Sequence, residues 1–259
     1  MNARIAMLAF VPAIASAAGT SPGFELRGKP QAVAIFPSPA KSKGTVLFLP
    51  GDGGWRGVAV TFAQTIAASG YDTYGFDTKR YLEGFSEGPQ PLTADQMGRD
   101  VRDLISWVSA RSHGRVMLLG WSQGAGMAIL AAANAPVPEL SGIVTMGLPT
   151  SAVLAWNWKD MFASAAHIEP DEPHFAIQPL LAKLSGTPLW MVHGSEDEYT
   201  SVATADLMFQ AAQAPKRLIK VTGANHRFDT RRTELFQALQ DGFLWVDHNA
   251  KVASAAARP

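Results

Sequence analysis

The sequence predicts an α/β fold, a mostly parallel sheet with helices on both faces, and three observations carry that prediction. Short apolar runs alternate in strict turn with segments whose apolar residues fall at three-and-four spacing, the periods of buried strand and amphipathic helix. The runs are apolar throughout, as strands covered on both faces must be. Strand, helix and strand in succession imply parallel pairing through crossover helices. With 47% hydrophobic and 17% charged residues in 259, the chain holds apolar material for one sizeable core, so residues 18–259 are expected to form a single domain.

The first residues read as an address. "MNARIAMLAFVPAIASAAG" places Arg4 before an apolar run from Ile5 to Ile14, and Ala15-Ser16-Ala17 forms a small-x-small cleavage site. Residues 1–17 are therefore expected to be a signal peptide, and the mature protein to be periplasmic or secreted. A bilayer-spanning helix needs about 20 apolar residues. No later segment reaches that length without charges, so no integral membrane segment is expected in the mature chain.

Past an antiparallel strand candidate at 31–37, the parallel strands are expected at 45–50, 71–77, 115–121, 142–148, 188–194 and 217–223. Most of these runs are closed by Gly or Pro. Helical spacing covers 58–68, 94–110, 125–135, 202–214 and 232–246. The stretch 149–187 is longer than an ordinary connection and reads as a cap insertion. In such a sheet, ligands sit at the carboxyl ends of the strands.

Composition narrows the function classes. Acidic and basic residues balance at 22 each, which gives no global field toward nucleic acid. Cysteine is absent from the sequence, which excludes disulfides, thiolate metal sites, a cysteine nucleophile and a lipid-anchoring cysteine. Ser, Thr, Lys or a carboxylate remain as covalent nucleophiles. The sequence contains no His-Glu-x-x-His and no close His/Asp cluster with ligand spacing, so neither a metal nor another cofactor is expected.

"GWSQG", residues 120–124, stands where a predicted strand turns into a predicted helix. Glycines two residues to either side of Ser122 let strand and helix pass closely, while the turn exposes the hydroxyl, the arrangement of a nucleophile elbow. A serine needs a base to take its proton and an acid to orient that base. Asp197 in "GSEDEY" follows the next-to-last strand, with Glu196 and Glu198 as solvated neighbours, and His226 in "GANHRF" follows the last. His193, at a strand end, reads as a packed or turn-bonded residue. The oxyanion of a tetrahedral intermediate needs backbone N–H donors. Gln123 supplies one, and either Asp52 or Gly53, in the loop "LFLPGDGGWRG", supplies the other.

Together these motifs resemble the α/β-hydrolase superfamily over nearly all of the mature chain. Within it, "LPGDGGW", "GFDTKRYL" and the Gly-x-Ser-x-Gly-Ala elbow are similar to the AcvB/VirJ bacterial virulence-protein family. The resemblance implies an α/β-hydrolase fold, with Ser122 as nucleophile, Asp197 as acid, His226 as base and Asp52, Gly53 and Gln123 around the oxyanion. It also implies a substrate, an aminoacylated phosphatidylglycerol. This chain departs from the family's usual Tyr-Ser-Phe elbow and His-His base, carrying Trp121-Ser122-Gln123 and Asn225-His226.

The partner expected is thus a small-molecule or lipid ester. Trp55 beside the oxyanion loop, and Trp156 and Trp158 in the cap, are candidate pocket-lining residues, against the alternative that they pack the cap and the domain. Two other functions fit the same residues: a non-catalytic lipid- or partner-binding module, and an acyltransferase in which an acceptor other than water resolves the acyl-enzyme.

Overall fold

In the computed structural model, residues 19–86, 92–155, 173–184 and 186–256 are described. Eight strands form the central sheet: β1 (Gly19–Leu26), β2 (Lys29–Phe36), β3 (Thr45–Leu49), β4 (Asp72–Phe76), β5 (Val116–Trp121), β6 (Leu140–Met146), β9 (Leu189–Gly194) and β10 (Lys216–Val221). Their spatial order is β1-β2-β4-β3-β5-β6-β9-β10. Every pairing from β4 to β10 is parallel, while β1–β2 and β2–β4 are antiparallel. The six predicted parallel strands match within two residues at either end, and the run at 31–37 is the antiparallel β2. Two short strands, β7 (Ser151–Val153) and β8 (His174–Ala176), form a separate antiparallel ribbon.

The described helices are α1 (Val58–Ala68), α2 (Thr78–Ser86), α3 (Ala94–Ser112), α4 (Gln123–Asn134), α5 (Gln178–Leu181), α6 (Val202–Ala211) and α7 (Arg232–Ala256). Successive residues of a strand point to opposite faces, and the two cores follow that alternation. Val46, Phe48, Val144 and Met146 meet α1 and α7 on one side. Leu47, Leu49, Leu118 and Ile143 meet α3 and α4 on the other. This double covering is why the runs read as continuously apolar.

Two elements escape the sequence patterns. β1 contains Pro22 and Gly23 and changes register between Ser21 and Phe24, features tolerated at a sheet edge but unlike a strand signal. The hairpin it forms with β2 is tied down by a buried charge. Asp100 of α3, 5% exposed, accepts from the Tyr81 hydroxyl at 2.7 Å and from the Arg27 guanidinium at 2.9 Å. Burial pushes the Tyr81 pKa far up, so the hydroxyl stays a donor, and a carboxylate taken from water needs such partners. The polar residues of α2 obscure its pattern; Thr78, Tyr81, Leu82 and Phe85 turn inward.

Of the predicted insertion at 149–187, the ribbon β7–β8 and α5 are described. The proposed leader 1–17 and the candidates Trp156 and Trp158 lie outside the described residues. Among those described, no helix is long and apolar enough to cross a membrane.

Candidate active site

Ser122 lies between the end of β5 and the start of α4 with φ 52 and ψ −118. That region is rarely occupied by L residues, and holding a side chain there costs about 1–3 kcal/mol. The surroundings enforce it. Ser122 N–H donates to Met146 O at 3.0 Å, and Ser122 O accepts from Ala125 and Gly126 at 2.8 and 3.2 Å. The flanking glycines leave no alternative. A Cβ on Gly120 would lie 2.4 Å from Ala125 Cα, and one on Gly124 would lie 2.0 Å from Leu49 O. Both neighbours are backbone and have nowhere to go.

Across the sheet, Met146 leads into Gly147, and Gly147 supports the imidazole of His226. At φ 53, Gly147 adopts a left-handed conformation, and a Cβ there would sit 2.9 Å from both Cε1 and Nδ1 of His226. The His226 Nδ1–H donates to Asp197 Oδ2 at 2.8 Å, and the Asp197 side chain is fully buried. The other oxygen, Oδ1, accepts from the Tyr199 and Thr200 N–H groups, each at 2.9 Å. Burial alone would raise the Asp197 pKa, but the hydrogen bond and charge of His226, with those two backbone donors, hold it below its usual value. The carboxylate therefore stays ionised and orients the ring through Nδ1, which leaves Nε2 as the nitrogen that accepts a proton when the imidazole is neutral.

The loop around this pair is braced further. Glu198, read from sequence as a solvated neighbour, accepts from the His226 N–H at 3.0 Å. The Tyr199 ring meets the His226 ring edge-on at 4.8 Å. Trp121 Nε1–H donates to His226 O at 3.3 Å, and its indole stacks on Phe62 at 5.3 Å. His193 is packed, as its position suggested: Nε2–H donates to Thr200 O at 2.9 Å, and burial pushes its pKa down. Glycine at 147 and the bracing by Glu198, Tyr199 and Trp121 were not foreseen, since each depends on which strand ends become neighbours.

Among the described residues no hydrogen bond joins Ser122 Oγ to the imidazole. Such bonds are often long before substrate is bound. The loop after β3 approaches the serine through Gly51, whose Cβ would lie 3.4 Å from Ser122 Cβ and 3.9 Å from Oγ. Asp52 and Gly53 follow in a turn closed by Gly54 N–H donating to Gly51 O at 3.1 Å. The N–H groups of Asp52 and Gln123 make no hydrogen bond among the described residues. Trp55 lines a cleft beside this loop with Gly53, Arg56, Asp77 and Lys79. Its ring lies on the Gly75 backbone and against Phe36 and Phe48, where it packs the sheet.

A mostly parallel eight-stranded sheet with a serine on a strained strand-to-helix turn defines an α/β-hydrolase-fold protein. Solved structures share that fold. The esterase domain of a Rhodothermus marinus protein is similar at 18% identity and TM-score 0.63, covering 89% of this chain and 98% of that one. Est1E from Butyrivibrio proteoclasticus gives 15% and 0.62 over 88% and 98%. A membrane phospholipase A described as a bacterial virulence factor gives 16% and 0.65 over 88% and 87%. The chain belongs to the bacterial virulence protein (VirJ) family, which it matches over residues 44–243. No curated protein sequence matches it.

Proposed function

We propose that this protein is an exported serine hydrolase that cleaves a carboxylic ester through an acyl-enzyme. The observation that carries the reading is the buried Asp197 carboxylate orienting His226 at the carboxyl ends of the strands, where Ser122 is held on a strained turn. In this mechanism Ser122 Oγ attacks the ester carbonyl carbon as its proton passes to His226 Nε2. The oxyanion takes hydrogen bonds from the N–H of Gln123 and that of Asp52 or Gly53. His226 then protonates the leaving alcohol, and water, activated by the same imidazole, releases the acid. Aminoacylated phosphatidylglycerol is the ester that the family resemblance points to.

A fluorophosphonate probe applied to the purified mature protein is expected to label Ser122, as mapped by mass spectrometry, and to fail on a His226→Ala variant. Turnover of p-nitrophenyl esters and of aminoacylated phosphatidylglycerol would then define the acyl and alcohol groups. An unlabelled parent with no ester turnover would overturn the reading in favour of a binding module.

Gly147 offers an independent test. Gly147→Ala adds a Cβ into the His226 ring and forces alanine into a left-handed conformation costing about 1–2 kcal/mol. Displacing a base by about 1 Å costs on the order of 10²-fold in rate. The variant is expected to fold and to lose activity on that scale, read as kcat on a p-nitrophenyl ester beside a melting curve. Parental kcat would place the imidazole elsewhere during turnover.

A further inference from the structure

The Gln123 side chain makes a contact that the mechanism above leaves unused. Its Oε1 accepts from the Val153 N–H at 2.9 Å, and its Nε2–H donates to Val153 O at 2.8 Å. The amide thus pairs with both backbone groups of one residue of β7 as a neighbouring strand would, and it does so while 6% exposed. The ribbon is seated on α4 beside this clasp. Gly126 leaves room for Ala152 and Ile177, since a Cβ there would lie 2.5 Å from Ala152 Cβ. Ile177 N–H donates to Thr150 O at 2.9 Å, closing the root of the ribbon.

What the clasp opposes follows from the elbow. The strain at Ser122 can be relieved by rotating ψ of Ser122 with φ of Gln123 unchanged, which turns the peptide between them and the Gln123 Cα–Cβ bond together as the first turn of α4 unwinds. That peptide carries the Gln123 N–H, so relief would aim the donor away from the carbonyl oxygen. A side chain pinned at both polar ends fixes the direction of the Gln123 Cα–Cβ bond and resists the rotation. Strained conformations persist only where the surroundings over-determine them, and preorganised donors are worth most when they need not reorient.

We infer that Gln123 is a positioning residue, its side-chain amide clasping Val153 so that the ribbon β7–β8 holds the 122–123 peptide in its donor orientation. This rests on the hydrolase reading proposed above. The ribbon then sets the turnover rate as well as flanking the site.

The test compares the parent with Gln123→Leu, which removes both bonds, and with Val153→Pro, which removes the Val153 donor without altering the elbow. Both variants are expected to show fluorophosphonate labelling rates and kcat lowered about 10- to 100-fold, part of the roughly 10²–10³ that loss of one oxyanion donor costs. KM for p-nitrophenyl acetate should stay within about twofold, as expected when a transition-state interaction alone is lost. Gln123→Glu gives a readout that simple packing would not move. A protonated glutamic acid can accept from Val153 N–H and donate to Val153 O, whereas the carboxylate faces that carbonyl with no proton. Its rate relative to the parent is therefore expected to fall as pH rises through the titration of that carboxyl. Parental labelling by both Gln123→Leu and Val153→Pro, or a raised KM at unchanged kcat, would overturn the inference while leaving the hydrolase reading intact. An unlabelled parent would overturn both.

Discussion

Ser122→Ala is expected to lower kcat on carboxylic esters by about 10⁴- to 10⁶-fold while leaving the fold intact. When a nucleophile is removed, the oxyanion donors and substrate binding still give a residual rate of roughly 10³–10⁴ over water, so the loss is large but finite. The same position makes a stability prediction with a definite sign. Ser122 sits at φ 52, where alanine is strained as serine is and glycine is not. Ser122→Gly is expected to be more stable than Ser122→Ala by about 1–2 kcal/mol, a rise of several degrees at about 2–4 °C per kcal/mol for a chain of this size. Both variants should be equally inactive. If the glycine variant melts no higher than the alanine variant, the elbow is not strained in solution.

Asp197→Asn is expected to cost about 10⁴-fold in kcat, by analogy with removal of the orienting acid in serine hydrolases. The asparagine amide can donate to His226 Nδ1, so the ring is held as the tautomer with its proton on Nε2, where it cannot take the Ser122 proton. The pH dependence follows from the depressed pKa of Asp197, which hydrogen bonding to His226, Tyr199 and Thr200 maintains against burial. A carboxylate whose folded pKa lies below its unfolded value of about 3.9 contributes stability above that pH and loses it as pH falls through the folded value. The parent should therefore lose more thermal stability than Asp197→Asn on acidification below about pH 4. Above that range Asp197 stays ionised, so the acid limb of the parental rate profile belongs to another group. A parental melting temperature no more acid-sensitive than that of the variant would contradict the ionised pair.

How much of this was legible in the sequence depends on how local each signal is. The six parallel strands are continuous apolar runs because both faces are covered, and their crossovers carry helical spacing, so the sheet could be read directly. The "GWSQG" stretch was readable because strand, turn and helix are contiguous, and the glycine pattern is enforced by contacts with Ala125 and Leu49 O. β1 was not readable, since an edge strand with Pro22, Gly23 and a register shift lacks alternation. Gly147 under His226 and Glu198 on the His226 N–H join residues 79 and 28 positions apart in the chain. No spacing rule exposes such contacts. Trp55 reads as a pocket aromatic by its place in the loop, and it lines a cleft there; that its ring also rests on the bare backbone of Gly75 depends on a neighbouring strand, which local spacing does not expose.

The glycine interlock at the elbow also limits how the specificity of this protein can be changed. Because α4 meets β3 with Gly124 against Leu49 O, and β5 with Gly120 against Ala125, a library randomised at positions 120 and 124 would return mostly unfolded chains. Diversity is better spent on Asp52, Gly53 and Arg56, which are exposed on the turn after β3. New ester preferences in this scaffold should therefore arise by rim substitution around an unchanged Gly-Trp-Ser-Gln-Gly.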